Sequence, residues 1–195
     1  MNVASYLLAN DVEVDTSRGR VHVDIGFGGA IYAHLRAADV GLTVEPRALN
    51  DLIAIGREVK WLLDDGEYAR HPSDHRLSGI YGTILFDELG VTDDGGLHQR
   101  NVTIFADGEV DRSPSGSGSA SRAAVLTAKG QLGVGRTLVH DSIVGSRFLA
   151  VVLEEATSEG RPAVVPQVTG IAYRCGSSEF TVDHRDPLVP GFLLR

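Results

Sequence analysis

Clustered glycines constrain this chain more than any other feature of its sequence. There are 23 glycines among 195 residues, which exceeds the roughly 7% that is usual for proteins. They gather at Gly26 to Gly29 and at Gly116 to Gly118 without a fixed period, so a repeat array is not expected. Because glycine lacks a Cβ atom, such clusters mark tight turns or close approaches of the backbone. We therefore expect two places of tight backbone geometry in the fold.

Length and charge narrow the class of protein. A chain of 195 residues fits one large domain or two small ones and is long enough to bury a sizeable core. Its formal net charge of −8 repels polyanions, so no nucleic-acid partner is expected. The first residues lack the basic region of a secretory signal, and no apolar run approaches the roughly 18 residues of a membrane span. A soluble protein with no membrane partner is expected.

The single cysteine, Cys175, bears on redox compartment and chemistry. One cysteine cannot form an internal disulfide or a multi-cysteine zinc site, and it is compatible with a reducing environment, so we expect a cytoplasmic location. No catalytic base neighbours Cys175 in the sequence. A buried structural thiol is therefore expected rather than a nucleophile.

The first part of the chain predicts strands followed by a helix. Apolar residues alternate with polar ones on both sides of Ser17-Arg18-Gly19, which predicts a hairpin with one buried face. Residues 30–35 predict another strand. Proline at the first turn and apolar residues at helical spacing predict a helix over residues 46–63. The polar segment 64–78 predicts a surface loop.

The remainder predicts short strands and one more helix. Ser117 or Ser119 can cap an alanine-rich run, and Gly130 can end it in the left-handed conformation. Strands are predicted at residues 80–86, 101–106, 137–140, 148–153, 163–168 and 180–182. Many strands with two long helices indicate an α+β fold class.

The Gly/Ser-rich segment from Ser115 to Ser119 is the best candidate for chemistry. It leads into a helix start, where unpaired N–H groups and the positive dipole end can bind a carboxylate or phosphate. A phosphate-loop lysine, a dinucleotide fingerprint and a nucleophile elbow are missing from this segment. An ordinary serine-capped helix is the alternative interpretation, and Asp111 beside Arg112 is also compatible with a local ion pair.

The histidines are weaker candidates. His71 and His75 are four residues apart, which is a spacing of metal ligands on a helix, but their polar context favours a solvated loop. His98 could line a polar site beside Arg100, although an exposed histidine at the end of a turn is the default. No residue pattern assembles a catalytic triad or a ligand cluster, so we expect no metal and no organic cofactor.

Residues Asp111 to Gly118 read Asp-Arg-Ser-Pro-Ser-Gly-Ser-Gly. They resemble the Asp-Arg-Ser-Pro-Cys/Thr-Gly-Thr/Ser-Gly signature of the proline racemase family, which includes hydroxyproline epimerases and trans-3-hydroxy-L-proline dehydratases. Further matches lie along nearly the whole chain, at Val23 to Gly29, Tyr81 to Ile84, Arg100 to Val102, Gly145 to Phe148 and Asp186 to Leu194. The resemblance implies a diaminopimelate epimerase-like fold. In that fold two similar halves each wrap a curved mixed sheet around a central helix and clamp the substrate between them.

The resemblance covers only the C-terminal part of the longer family members. It implies that residues 1–180 form the second half of the fold and that residues 181–195 pack back toward the missing first half. That first half carries a Met-Cys-Gly-His-like motif with the catalytic thiol, and Cys175 lies outside both motifs. The expected partners are a small-molecule substrate, proline or hydroxyproline, and either a second copy of the chain or the N-terminal half.

Residue 115 bears on which reaction the resemblance implies. Racemases and epimerases have cysteine there, because moving a proton between the two faces of Cα requires two groups that exchange protons near neutral pH. The hydroxyl of Ser115 points instead to the dehydratase branch, a lyase that converts trans-3-hydroxy-L-proline to a cyclic imine. By the resemblance Ser115 is the catalytic residue, Asp111 binds the ring ammonium, and the N–H groups of Gly116 and Ser117 bind the carboxylate. The alternatives are a proline racemase, a hydroxyproline 2-epimerase, or a truncated relative that only binds carboxylates.

Overall fold

A computed structural model describes residues 1–193, which contain nine β-strands and two α-helices. The first elements are β1 (Ser5–Thr16), β2 (Gly19–Phe27), β3 (Ile31–Arg36) and α1 (Leu49–Asp64). They are followed by β4 (Ile80–Val91), β5 (Leu97–Phe105), β6 (Glu109–Val110), α2 (Gly116–Ala128), β7 (Thr137–Ser142), β8 (Arg147–Ser158) and β9 (Arg161–Thr169). The described chain is therefore rich in strands, as an α+β fold requires.

The strands close into a barrel. Their order is β4-β3-β2-β1-β9-β8-β7-β5, and β5 also pairs with β4, so these eight strands form a ring to which β6 is added at β5. The pairs β3–β4 and β5–β7 are parallel, and the other pairs of the ring are antiparallel. The sheet is thus mixed and strongly curved, which confirms the expected fold class.

Helix α2 runs through the inside of the barrel. It contacts β1, β2, β3, β8 and β9, and side chains of β4, β5 and β7 reach it on the remaining sides. Every residue from Gly118 to Leu126 is buried. A helix that is buried all round must carry small or well-partnered side chains, and the Ser/Ala-rich sequence of α2 meets that requirement.

Both glycine clusters allow close approach to α2. A Cβ atom on Gly28 would overlap the carbonyl oxygen of Ser117 and lie 2.5 Å from the backbone nitrogen of Ser121. One on Gly118 would lie 2.7 Å from the side chain of Ile84. Since any larger residue would clash, the segment that follows β2 and strand β4 can pack this closely on the helix only where glycine is present. The expectation of tight geometry at both clusters is confirmed.

Helix α1 covers the outside of the barrel at β4 and β5. Its residues Leu52, Ile55 and Val59 are buried, whereas Trp61 and Leu62 on other faces are each 53% exposed. Most residues of β3 and of the first half of β4 (residues 80–86) are consequently buried, because α2 lies on one side and α1 or its neighbouring loops lie on the other.

The structure confirms most predicted elements and corrects three expectations. The hairpin turn at Ser17 is present, and the helix predicted over residues 46–63 begins as an α-helix at Leu49 after a 3-10 turn. The strand predicted at 180–182 is wrong, since residues 170–193 form no helix or strand and are all exposed. Cys175 lies in this segment and is exposed, so the buried thiol is also wrong. The alternation of apolar residues around 180–182 favours a strand, but a strand also needs a neighbouring strand to pair with, and this segment has none among the described residues.

The third correction concerns the start of α2. The helix begins at Gly116, and its N-cap is Ser115 and not Ser117 or Ser119. Glycine and serine disfavour helix interiors, so the sequence favours a later start. Two hydrogen bonds to Ser115 outweigh that preference, because its Oγ accepts from the N–H of Gly118 and its carbonyl accepts from the N–H of Ser119.

Candidate functional site

The Gly/Ser-rich segment lies at one mouth of the barrel, where α2 begins. Ser115 is buried, and its Oγ accepts a hydrogen bond from the backbone N–H of Gly118 at 3.3 Å. The backbone of Ser115 has φ 65° and ψ 125°, which residues other than glycine rarely adopt. Such strained conformations persist only where the surrounding structure enforces them, and they concentrate at functional sites.

The first turn of α2 presents two available N–H groups. The N–H of Gly118 is bonded to Ser115 Oγ, and the N–H of Ser119 donates to the Ser115 carbonyl at 2.9 Å. The N–H groups of Gly116 and Ser117 have no acceptor within residues 1–193. Gly116 is exposed, and the positive end of the helix dipole lies at the same place. This arrangement can bind a carboxylate.

Tyr32 on β3 lies behind this turn. Its hydroxyl is 2.7 Å from Ser117 Oγ and 3.5 Å from Ser115 Oγ. Burial raises the pKa of Tyr32, so its hydroxyl stays protonated and can donate a hydrogen bond. The ring of Tyr81 packs edge-on against Tyr32, with ring centroids 5.5 Å apart. Two hydroxyls from the motif and one from Tyr32 therefore converge at the mouth.

Sequence reasoning did not identify Tyr32. The available signal was its position three residues after Gly29, on the same face of β3 as His34. Alternation along a strand shows which residues share a face, but it does not show that this face meets α2.

Asp111 is linked to the same turn through Ser113. The Oδ1 atom of Asp111 accepts a hydrogen bond from Ser113 Oγ at 3.1 Å, and Ser113 Oγ accepts one from the backbone N–H of Ser115 at 3.2 Å. The partner of Asp111 is thus Ser113, and Arg112 is exposed. A half-buried carboxylate connected through Ser113 to a turn with two available N–H groups is complementary to a small zwitterion, whose ammonium and carboxylate need opposite partners.

Polar side chains line the barrel interior below the mouth. His34 Nε2 lies 2.8 Å from Ser121 Oγ, and the Nε–H of Arg122 donates to Gln99 Oε1 at 2.9 Å. Burial lowers the pKa of His34 well below the usual value, so it is neutral near pH 7. Strands β3 and β5 and helix α2 thus contribute to a hydrogen-bonded interior beneath the site, in which His34 is neutral and Arg122 keeps its charge because its pKa falls only to about 10.

The histidines singled out from the sequence lie apart from this turn. His71 is in a loop as predicted, but its side chain is only partly exposed, with Nε2 3.1 Å from the Tyr6 hydroxyl. His75 is exposed. His98 Nε2 lies 2.8 Å from Asp141 Oδ2 in an ion-pair arrangement. Within residues 1–193 no group of three or more His, Cys, Asp or Glu side chains could hold a metal ion.

An open cavity of about 650 Å³ borders the mouth. Gly29, Tyr81 and Phe105 line it on the barrel side, and Lys60 and Arg76 line it on the other. The rings of Tyr81 and Phe105 stack with centroids 5.8 Å apart. The volume falls in the usual range for small-molecule sites. None of residues 111–119 lines this cavity, which adjoins the turn through Tyr81, the ring packed against Tyr32. Neither helix among the described residues is long and apolar enough to cross a membrane.

A closed mixed barrel around a buried helix, with unpaired N–H groups at the start of that helix, defines a diaminopimelate epimerase-like α+β protein. The profile of the family described as "Proline racemase" matches residues 1–193. The chain belongs to the proline racemase family.

Curated relatives carry two different activity names. Over 196 residues the chain is 44% identical to a 3-hydroxyproline 2-epimerase of Burkholderia multivorans. The alignment covers 100% of this chain and 58% of the relative. It is 41% identical over 194 residues to a trans-3-hydroxy-L-proline dehydratase of Colwellia psychrerythraea, covering 99% of this chain and 54% of the relative. The chain therefore spans little more than half the length of these relatives.

Two solved structures share the fold. A probable proline racemase from Agrobacterium radiobacter with bound carbonate superposes with a TM-score of 0.83 at 32% identity, covering 99% of this chain and 56% of that one. A hydroxyproline epimerase from Agrobacterium vitis with bound trans-4-hydroxy-L-proline gives 0.82 at 31% identity, covering 99% and 55%. Both neighbours hold small anionic or zwitterionic molecules.

Proposed function

We propose that this chain supplies one half-site of a trans-3-hydroxy-L-proline dehydratase, a hydro-lyase that needs no cofactor. The observation that carries the proposal is the turn at Ser115, where a hydroxyl stands beside two available N–H groups and a carboxylate. Curated relatives named as this dehydratase support the substrate, at up to 44% identity.

The substrate is a zwitterion, and the turn offers a partner for each charge. The N–H groups of Gly116 and Ser117 bind the substrate carboxylate, and Asp111 binds the ring ammonium. Binding at the carboxylate also stabilises the negative charge that develops on it when the Cα proton is lost. This step accounts for catalysis without a metal or an organic cofactor.

The reaction removes one molecule of water. A base takes the Cα proton, the bond from C3 to its hydroxyl breaks, and a proton delivered to that hydroxyl completes the leaving water. The resulting enamine then tautomerises to the cyclic imine. We assign Ser115 to the departing hydroxyl as a polar group or weak proton donor, with the Ser117 and Tyr32 hydroxyls next to it.

The base must come from outside the described turn. The family resemblance implies a thiol in the other half of the fold, and residues 170–193 are suited to contact that half. They are exposed and carry large apolar side chains, such as Phe180 at 91% and Phe192 at 65% exposure. We propose that residues 1–180 form the second half and that residues 181–193 pack toward the first, or toward a second copy of the chain. Residues 194–195 of the predicted C-terminal segment lie outside the described residues.

Epimerisation is the second candidate, because a relative at 44% identity is named a 3-hydroxyproline 2-epimerase. Epimerisation returns a proton to the opposite face of Cα, whereas dehydration does not. The two reactions therefore differ in what residue 115 must supply: an exchangeable proton near neutral pH in one case and a polar group in the other.

The test uses a fusion of this chain to the first half of another family member, which carries the thiol motif. Incubation with trans-3-hydroxy-L-proline in heavy water should give the cyclic imine, detected with ortho-aminobenzaldehyde, and no epimer by chiral chromatography. Ser115→Cys should introduce epimerisation of proline or hydroxyproline with deuterium at Cα, whereas Ser115→Thr, which keeps the hydroxyl, should not. Epimer formation by the native sequence without imine would overturn the dehydratase assignment.

A further inference from the structure

The Ser115 turn is strained and therefore needs a structure that holds it. The positive φ of 65° at Ser115 is relieved most simply by a flip of the peptide between Pro114 and Ser115, which would turn φ negative. The same flip would carry the N–H of Ser115 away from Ser113, and Ser113 is the partner of Asp111. Something must oppose this flip.

The Pro114 carbonyl is bonded inside the barrel by two donors. Asn101 Nδ2 donates to it at 2.9 Å, and Ser119 Oγ donates to it at 3.3 Å. Ser119 Oγ also lies 2.9 Å from His140 Nδ1. Asn101, Ser119 and His140 are all 0% exposed, so water does not compete for these hydrogen bonds.

The hydroxyl of Ser119 has one proton, and this decides the protonation of His140. If Nδ1 of His140 carries the proton, it donates to Ser119 Oγ and leaves the hydroxyl proton for the Pro114 carbonyl. If Nε2 carries it instead, the hydroxyl proton goes to Nδ1 and the bond to Pro114 is lost. The Nε2–H would then also be a buried donor without a partner, because Nε2 contacts no acceptor. The Nδ1–H tautomer of His140 therefore gives more of these buried polar groups a hydrogen-bond partner.

We propose that His140, Ser119 and Asn101 are positioning residues, which hold the Pro114 carbonyl inside the barrel and so keep the Ser115–Ser117 turn in its carboxylate-binding geometry. The inference rests on the function proposed for that turn. It assigns a role to three residues of β5, α2 and β7 that do not reach the mouth. Asn101 and Ser119 both donate to the Pro114 carbonyl. His140 acts indirectly, because its hydrogen bond to Ser119 Oγ orients the serine hydroxyl.

The experiment compares His140→Asn with His140→Gln in the full 195-residue chain. The amide nitrogen of asparagine occupies the place of Nδ1, whereas that of glutamine reaches the place of Nε2. Calorimetric titration uses pyrrole-2-carboxylate, a planar proline analogue. We expect His140→Asn to bind within about threefold of the native chain and His140→Gln to bind at least tenfold more weakly, with shifted amide resonances at Ser115 to Ser117. Nitrogen-15 spectra of the native chain should show the Nδ1–H tautomer of His140.

A role in packing alone predicts the reverse order, because glutamine fills the imidazole space better than asparagine. Equal or tighter binding by His140→Gln than by His140→Asn would overturn the inference, and so would an Nε2–H tautomer in the native chain, even if neither variant folds. If the native chain does not bind pyrrole-2-carboxylate at all, the carboxylate-binding role proposed for Gly116 and Ser117 fails for the chain on its own, and the joined protein decides the reaction. The tautomer and the amide resonances then still decide whether the three residues hold the turn.

Discussion

The two helices of this chain occupy opposite environments. Helix α1 lies outside the barrel and buries one face, and its apolar partners include Leu85 and Ile104. Helix α2 lies inside and is buried all round, with a separate apolar cluster that includes Leu138 and Val152. One helix can move outward into solvent, and the other is confined on every side.

The confined helix is the one that carries buried polar side chains. Ser119, Ser121 and Arg122 of α2 are buried and hydrogen-bonded to strands. In contrast, Arg57 of α1 pairs with the exposed Asp107 at the surface. A buried polar group must keep its partner or incur a desolvation cost. Confinement and polar bonding therefore fix the position of the helix start at which the candidate site lies.

The largest effect should come from breaking that confinement. In Gly28→Ala the new methyl group overlaps the Ser117 carbonyl and lies 2.5 Å from the Ser121 nitrogen. Because α2 cannot shift, we expect a loss of about 3 kcal/mol in the free energy of unfolding, measured by urea denaturation. Gly133→Ala is the control, since its Cβ would have only a contact at 3.9 Å. A loss below about 1 kcal/mol at Gly28 would show that the barrel interior can yield.

An intermediate effect should come from protonating the interior around α2. Burial lowers the pKa of His140 to about 3, against about 6.5 in an unfolded chain. The unfolded state therefore binds the proton first as the pH falls below 6.5, and stability is lost between pH 6.5 and 3. From pH 7 to pH 5 this histidine alone should cost about 2 kcal/mol.

Comparing the native chain with the His140→Asn variant isolates the contribution of His140 to the pH dependence of stability. The carboxylates titrate in both proteins, so their contribution cancels in the difference. Urea denaturation at pH 7, 6 and 5 should show a shallower fall in stability for the variant. Parallel curves would mean that the imidazole of His140 is not kept neutral by the fold.

The smallest effect should come from the outer helix. In Gly56→Ala the new Cβ would lie 2.7 Å from Ile104 Cγ1, a contact as close as some around α2. Helix α1 can move outward, however, and alanine favours a helix over glycine by about 1 kcal/mol. We therefore expect a net loss of about 1 kcal/mol by urea denaturation. A loss as large as that of Gly28→Ala would show that α1 is held as rigidly as α2.

Local features of the candidate site were accessible from the sequence. The motif from Asp111 to Gly118 indicated a serine-capped helix start with available N–H groups, and the structure has that arrangement with Ser115 as the cap. Hairpin alternation and helical spacing likewise report which residues share a face. These patterns involve residues that are only a few positions apart, so they can be read from a single sequence.

Contacts between distant segments were decided only by the tertiary structure. Closure of the barrel requires β4 to pair with β5 and β5 with β7, and no local pattern specifies which strands meet. For the same reason, the placement of Tyr32 and His140 against α2 was not predictable. Cys175 illustrates the converse, because its residue type favours burial but its segment finds no partner in the described chain. The sequence by itself determined the chemistry available at the start of α2, and the closed barrel decided which side chains surround it, because burial depends on the packing of segments far apart in the chain.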